Sequence, residues 1–303
     1  MRVKVLGSAA GGGFPQWNCN CRNCAGLREG RLKARRRTQS SIAVSADGGR
    51  WVLCNASPDI AAQIFATPEL QAPKALRGSG IAAVVLTDGQ IDHAAGLLLL
   101  REGSRLQIHT TDLVRDELTG GLPVLSLLEH FCGVDWHRIP LDATAFDVDG
   151  IEGLELRALP IAGKPAPFSP RRDNPQPGDN IGLTIHDRRT QRSLFYAPGL
   201  ARIDERVADA MKSADCLLVD GTFWTDDEMI RLGVGSKRAQ DIGHLPQAGP
   251  GGMIERLRAF PNARRVLVHI NNTNPILDED SAERRLLERE GIEVAFDGME
   301  LVL

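Results

Sequence analysis

No stretch of this chain approaches eighteen uninterrupted apolar residues, which excludes a membrane-spanning helix. Neither sign of charge is in excess: 36 Lys and Arg stand against 39 Asp and Glu, and the net charge of −3 offers no general attraction to nucleic acid or to an anionic membrane. Met1 to Leu6 passes straight into glycines without the apolar region of a signal peptide, so the cytoplasm is the expected compartment. Internal repeats and low-complexity tracts are missing. The turn GSAAGGGFP has neither the G-x-G-x-x-G spacing nor a G-K-[ST] ending, and no phosphate-binding loop is expected from it. What is present, 303 residues of which 42% are hydrophobic, suits a sizeable core. Six cysteines in a reducing compartment are not expected to pair as disulfides.

The chain is organised around Ile81 to Leu100, IAAVVLTDGQIDHAAGLLLL. Ala82 to Leu86 reads as a strand buried on both faces, and Ala94 to Arg101 as a short buried helix. Asp88, Gln90, Asp92 and His93 lie between them. A metal ion is one partner that uses carboxylate and imidazole together; an aspartate cap beside one hydrogen-bonded histidine is the plainer alternative. Later, Cys216 to Asp220 and Arg265 to Ile270 are apolar runs that end near Asp220 and His269, and His244 follows a helical stretch. Several polar groups at the ends of buried strands point to one shared edge.

Cys19, Cys21 and Cys24 put three thiols within six residues. A structural zinc with one further ligand from elsewhere is expected there, against a reduced, metal-free loop, while Cys54, Cys132 and Cys216 sit singly in apolar runs and read as core. The basic run Arg28 to Arg37 reads as solvated surface. Ser41–Ala46 and Arg50–Asn55 flank a D-G-G hairpin signal, and a helix is expected after Ser57 as N-cap, with Ile60, Ile64 and Phe65 facing inward. His109, His130, His137 and His186 lack a neighbouring ligand set. Ala162 to Asp179 is the one long aperiodic stretch, and its prolines with Arg171 and Arg172 suggest a lid or binding loop. Ser281 to Glu290 is a final amphipathic helix, and Ile292 to Leu303 reads as a hairpin about Asp297-Gly298.

T-D-G-Q-I-D-H-A-A-G-L resembles the T-H-x-H-x-D-H-x-x-G signature of the metallo-β-lactamase superfamily, with Asp88 and Gln90 where the first two histidines would be. Gly163 or Lys164 takes the place of the third metal-binding histidine, and Pro198 or Gly199 that of the bridging aspartate. Together with G-F-P-Q-W-N-C-x-C-x-x-C, S-P-D-I-x-x-Q, D-G-T-F-W, G-H-L-P and H-I-N-N-T-N-P, the pattern closely resembles the pyrroloquinoline quinone biosynthesis protein B family over nearly the whole chain.

The resemblance implies a four-layer αββα α/β fold across 1–303 as a single domain, with a zinc loop at 19–24 and a lid at 162–179. It also implies a role in making the redox cofactor from a peptide precursor, either as an iron-dependent oxygenase hydroxylating the tyrosine ring of a Glu-Tyr intermediate or as a carrier of the quinone. Asp92, His93 and His269 form a two-histidine, one-carboxylate set suited to Fe(II), with zinc able to occupy it, and this favours hydroxylation over a zinc hydrolase. Asp88 and Gln90 are then supporting or weak ligands, Asp220 orients His244 for proton transfer, and Arg171 and Arg172 are candidates to hold substrate carboxylates. Resemblance to related phosphodiesterases, which carry histidine there, offers Asn272 as fourth ligand of the thiol site. Expected partners are the peptide-derived substrate and other proteins of the pathway; the sequence sets no oligomeric state.

Overall fold

The computed structural model describes residues 1–72 and 76–303. Thirteen strands occur among them: β1 Arg2–Gly7, β2 Ser41–Ser45, β3 Trp51–Cys54, β4 Ile81–Val85, β5 Leu106–Thr110, β6 Val134–Arg138, β7 Leu154–Pro160, β8 Ile181–Asp187, β9 Arg192–Ala197, β10 Cys216–Asp220, β11 Arg264–Val268, β12 Ile292–Val294 and β13 Glu300–Val302. They form one sheet in the order β13-β1-β2-β3-β4-β5-β6 and a second in the order β12-β11-β10-β9-β8-β7.

Strands buried on both faces explain the continuous apolar runs of the sequence. On β3, Val52 and Cys54 point between the sheets while Trp51 and Leu53 point to the outer helices; on β10, Cys216 and Leu218 face inward and Leu217 and Val219 outward. Ile60, Leu97, Leu118 and Leu128 cover the outside of the first sheet, and Val207, Met211, Leu257 and Leu287 the outside of the second. Helix, sheet, sheet, helix is therefore the layer order. Strands β3 to β6 run parallel, as do β9 to β12, so both sheets send several carboxyl ends to one edge. That edge carries the site.

Several local expectations change. The helix after Ser57 spans Ile60–Phe65 with Asp59 at its N-cap, and Ser57 Oγ instead accepts from Asp59 N and donates to Gln63 Oε1. Ile60 and Gln63 are its buried side and Ile64 packs beside them, whereas Phe65, five residues on from Ile60 and so about 140° round the helix, is 83% exposed. The helix expected at Ala94 begins at Ile91 and runs on as a 3-10 turn over Ala95–Leu100. Cys132 is half-buried, while Cys54 and Cys216 are core. Arg37 is no surface residue: it is buried and donates to Ser8 Oγ and to the Ala295 carbonyl.

The largest correction concerns the last residues. β12 and β13 do not pair with each other: β12 joins the second sheet beside β11, and β13 joins the first beside β1. Asp297 fixes the crossing, accepting from Ser8 N, Ser8 Oγ, Thr38 N and Thr38 Oγ1 at 2.6–2.9 Å. Four donors on one carboxylate outweigh the hairpin preference of Asp-Gly. No helix of the described residues is long and apolar enough to cross a membrane.

Candidate metal centre

The polar turn after β4 is built to hold one imidazole. Asp88 accepts from Gln90 N at 2.9 Å, from Thr87 Oγ1 at 3.0 Å and from His93 Nδ1 at 2.8 Å. Asn55, in left-handed backbone geometry at φ 67°, fixes Thr87 in turn through Oδ1 to Thr87 N (2.9 Å) and Nδ2 to Thr87 Oγ1 (3.0 Å). His93 Nε2 is left buried with no hydrogen-bond partner. Burial opposes charge on His93, yet Asp88 and Asp92 beside it raise its pKa to about 9. Burial likewise works against ionised Asp92, but His93 and His269 hold it far below the usual carboxylate range.

The second sheet brings the other half. His269 follows β11 at φ 60°; its Nδ1 meets Thr222 Oγ1 at 2.9 Å, and its Nε2 faces Asp92 Oδ2 at 3.2 Å. With Nδ1 donating to the hydroxyl, Nε2 turns a lone pair toward a carboxylate oxygen, an arrangement that a shared cation satisfies. Donor atoms of Asp92, His93 and His269 lie within 4.8 Å of one another, so the set fits a metal ion by both chemistry and spacing. Asp220, His244 and His269 cluster as closely. Asp220 is already occupied, however: its oxygens accept from Leu200 N (2.9 Å), Thr222 N (2.9 Å), Thr222 Oγ1 (2.6 Å) and His244 Nδ1 (2.7 Å). It therefore orients His244, whose pKa it raises against the effect of burial.

Asp88, Asp92, His93, His244 and His269 line a cavity of about 240 Å³ together with Gln90, Lys164, Arg172, Asn180 and Met229. Gln90 faces it, but its amide donates to the Lys164 carbonyl at 3.0 Å. The positions where a two-metal site would carry further ligands hold glycines, which offer none: a Cβ at Gly163 would come 2.7 Å from Asn180 Cγ, whereas one at Gly199 would make only ordinary contact, 3.7 Å from the His244 ring. Arg171 and Arg172 part company. Arg171 pairs with Asp179 (2.6 Å) and the buried Glu117 (3.0 Å) and does not line the cavity, which corrects its expected substrate role.

On the far side of the loop after β11, the sulfurs of Cys19, Cys21 and Cys24 cluster, and Asn272 Nδ2 lies 3.2, 3.6 and 3.4 Å from them. Burial raises the Cys19 thiol, but hydrogen bonds from Cys21, Cys24 and Asn272 leave it lowered; burial pushes Cys21 up to about 12. Three sulfurs and a side-chain amide fit a four-coordinate ion once the amide presents its oxygen.

Thr222, Thr87 and Asn55 were not singled out from the sequence. Thr222 stands in D-G-T-F-W and Thr87 heads T-D-x-Q, so position beside a site carboxylate was the available signal.

A sequence model of the beta-lactamase superfamily domain matches residues 50–270. Coenzyme PQQ synthesis protein B of Methylococcus capsulatus is 55% identical to this chain, and that of Stutzerimonas stutzeri 57%, each over 304 residues and the whole of both sequences. The chain belongs to the coenzyme PQQ synthesis protein B family. Zinc-bound PqqB from Methylobacterium extorquens, a crystal structure 40% identical, matches with a TM-score of 0.92 over all of both chains. A diphosphatase of the PhnP family, 19% identical and covering 99% of this chain and 97% of its own, matches at 0.67 and shares the fold. The family's αββα architecture is thus the one described above.

Proposed function

We propose that this chain acts in pyrroloquinoline quinone (PQQ) biosynthesis as an oxygen-dependent hydroxylase of the tyrosine ring in a peptide-derived Glu-Tyr intermediate. The relatives' common name, PQQ synthesis protein B, supports the pathway. The single observation that carries the chemistry is the buried, unpartnered His93 Nε2 beside the facing pair Asp92 and His269. Asp92, His93 and His269 would hold Fe(II), and Cys19, Cys21, Cys24 and Asn272 a structural zinc. Iron(II) in a facial two-histidine, one-carboxylate set supplies dioxygen chemistry, which zinc cannot.

The chain's own groups do the rest. Asp88 keeps His93 oriented through Nδ1, and Thr222 does the same for His269. Asp220 holds His244 Nδ1, leaving Nε2 to give or take a proton at the substrate phenol. Arg172 faces the cavity and is placed to meet a substrate carboxylate. Glycines at 163 and 199, which carry no ligating side chain, weigh against a two-zinc hydrolase.

The test uses protein reconstituted anaerobically with one metal at a time, following oxygen uptake and product mass with a supplied reductant. Iron protein should consume oxygen and add oxygen mass to the substrate, and zinc protein should be inactive. Turnover by zinc protein without oxygen would return the hydrolase reading. Tight binding of the finished quinone with no oxygen uptake by iron protein would favour a carrier.

A further inference from the structure

Two loops border the cavity, and they are held differently. The Pro-rich stretch 162–179 is fastened along its length. Arg171 ties it to Asp179, Glu117 and the Leu113 carbonyl, Thr111 Oγ1 donates to the Gly178 carbonyl at 2.7 Å, and Gln90 Nε2 donates to the Lys164 carbonyl at 3.0 Å. The other loop, 227–238, brings Met229 to the cavity wall. Its ends meet, since Ala239 N donates to the Asp226 carbonyl at 2.8 Å and Arg238 pairs with Asp226 at 3.2 Å. The bonds inside it are its own: Arg231 N donates to the Asp227 carbonyl, Leu232 N to that of Glu228 and Val234 N to that of Met229. Every residue from 230 to 238 is exposed, and Ile230, Leu232 and Val234 are 43–47% exposed, so no apolar packing holds this part of the loop to the body. A compact loop with joined ends and few outside ties can move as one piece.

What ties it down is Glu228, which is 4% exposed. Its carboxylate accepts from Trp224 N at 2.6 Å and from Thr273 Oγ1, which belongs to the loop after β11. The cations of the loop do not answer this charge: Arg231 reaches Asp227 at 3.7 Å and Arg238 reaches Asp226. A buried carboxylate without a counter-charge loses hydration that two hydrogen bonds offset only in part, and burial raises its pKa accordingly. Such a tie holds the loop and also lets it go. We propose that residues 227–238 are the lid of the metal cavity, hinged at Asp226 and Ala239 and latched by Glu228 on Thr273, and that its opening admits and releases what binds there. The inference rests on the reading above that Asp92, His93 and His269 hold a metal ion, and it adds the route by which the site is reached.

The experiment follows zinc uptake and release by the full-length protein, using a coloured chelator in stopped flow. Two release phases are expected, and the one absent from His269→Ala reports the cavity. Glu228→Ala should speed both uptake and release at the cavity about tenfold and leave the equilibrium constant unchanged, because a lid alters passage and not the bound state. Release from the thiols should not change. Glu228→Gln keeps an acceptor for Trp224 N and a partner for Thr273, and should behave as the unaltered protein. Trypsin gives a reading independent of metal: in metal-free Glu228→Ala, cutting after Arg231, three residues past the latch, should rise about tenfold, with no rise at Lys164, Arg171 or Arg172. Faster release from both zinc sites, or weaker cavity binding with uptake unchanged, would assign the effect to a disturbed 271–274 loop and overturn the lid. Trypsin cutting as expected with no zinc bound at His269 would keep the lid and remove the metal reading. Bound zinc with rates and cutting unmoved by Glu228→Ala would do the reverse.

Discussion

His93, in the short helix after β4, and His109, near the end of the neighbouring β5, are 2% and 3% exposed, and each keeps a buried Nε2 with no partner. Their surroundings divide them. His93 gives Nδ1 to Asp88 and is raised to about 9. His109 stacks on His137 at 4.6 Å and on Phe146 at 5.8 Å, and burial together with His137 lowers it to about 4. An imidazole made basic and aimed by a carboxylate can exchange its proton for a cation, whereas one neutralised by burial serves as packing. Burial of a histidine is therefore uninformative until its acceptor and its facing groups are known.

The comparison breaks most completely at His269. His269→Ala should reduce oxygen-dependent turnover to background and lose one metal equivalent by elemental analysis, with zinc at the thiols retained. Cys21→Ser should do the opposite, keeping the metal at Asp92 and His93 while losing the thiol-bound zinc and about 4 kcal/mol or more of stability in denaturant unfolding. Asp220→Asn should retain both metals and slow turnover roughly a hundredfold in steady-state assays, with an altered pH profile. Asp88→Asn tests the contrast directly, since it leaves His93 without its carboxylate acceptor. Chelator competition should then show metal affinity weakened by about ten- to a hundredfold.

The smallest effect belongs to His109. Its folded pKa lies below the 6.5 of a free imidazole, so the unfolded chain takes up the proton first as pH falls. Stability present above pH 6.5 should decline by about 2 kcal/mol by pH 5 and level off below the folded value. His109→Phe should flatten that part of the stability curve; an unchanged curve would place the proton uptake elsewhere.

Much of this was legible in the sequence because it is local. The run Ala82 to Leu86, the spacing of Asp92 and His93, and the three thiols each lie within a few residues, and period and spacing report such features directly. Convergence of Asp220, His244 and His269 on the same edge was legible as a repeated pattern, polar groups closing apolar strands. What escaped depends on partners remote in sequence. Arg171 and Arg172 are indistinguishable until Glu117 and Asp179 are in place, and Asn180, seventeen residues on and just before β8, fills the space beside Gly163. Asp297-Gly298 has the local form of a hairpin turn, and only Ser8 and Thr38 make it a crossing between sheets.

That crossing has a consequence for how the chain is made. Arg2 pairs with Val302, so β1 has its outer edge open until β13, about 300 residues later, has been made. An open edge strand invites pairing with other chains, and long charged side chains along it discourage this. Arg2 and Lys4 stand on that edge, and Glu300 arrives with β13 to meet Arg2 at 2.6 Å and Lys4 at 3.8 Å. The same two cations thus guard the strand during synthesis, and in the closed sheet Arg2 is neutralised by Glu300 and Lys4 chiefly by Glu69 at 2.7 Å.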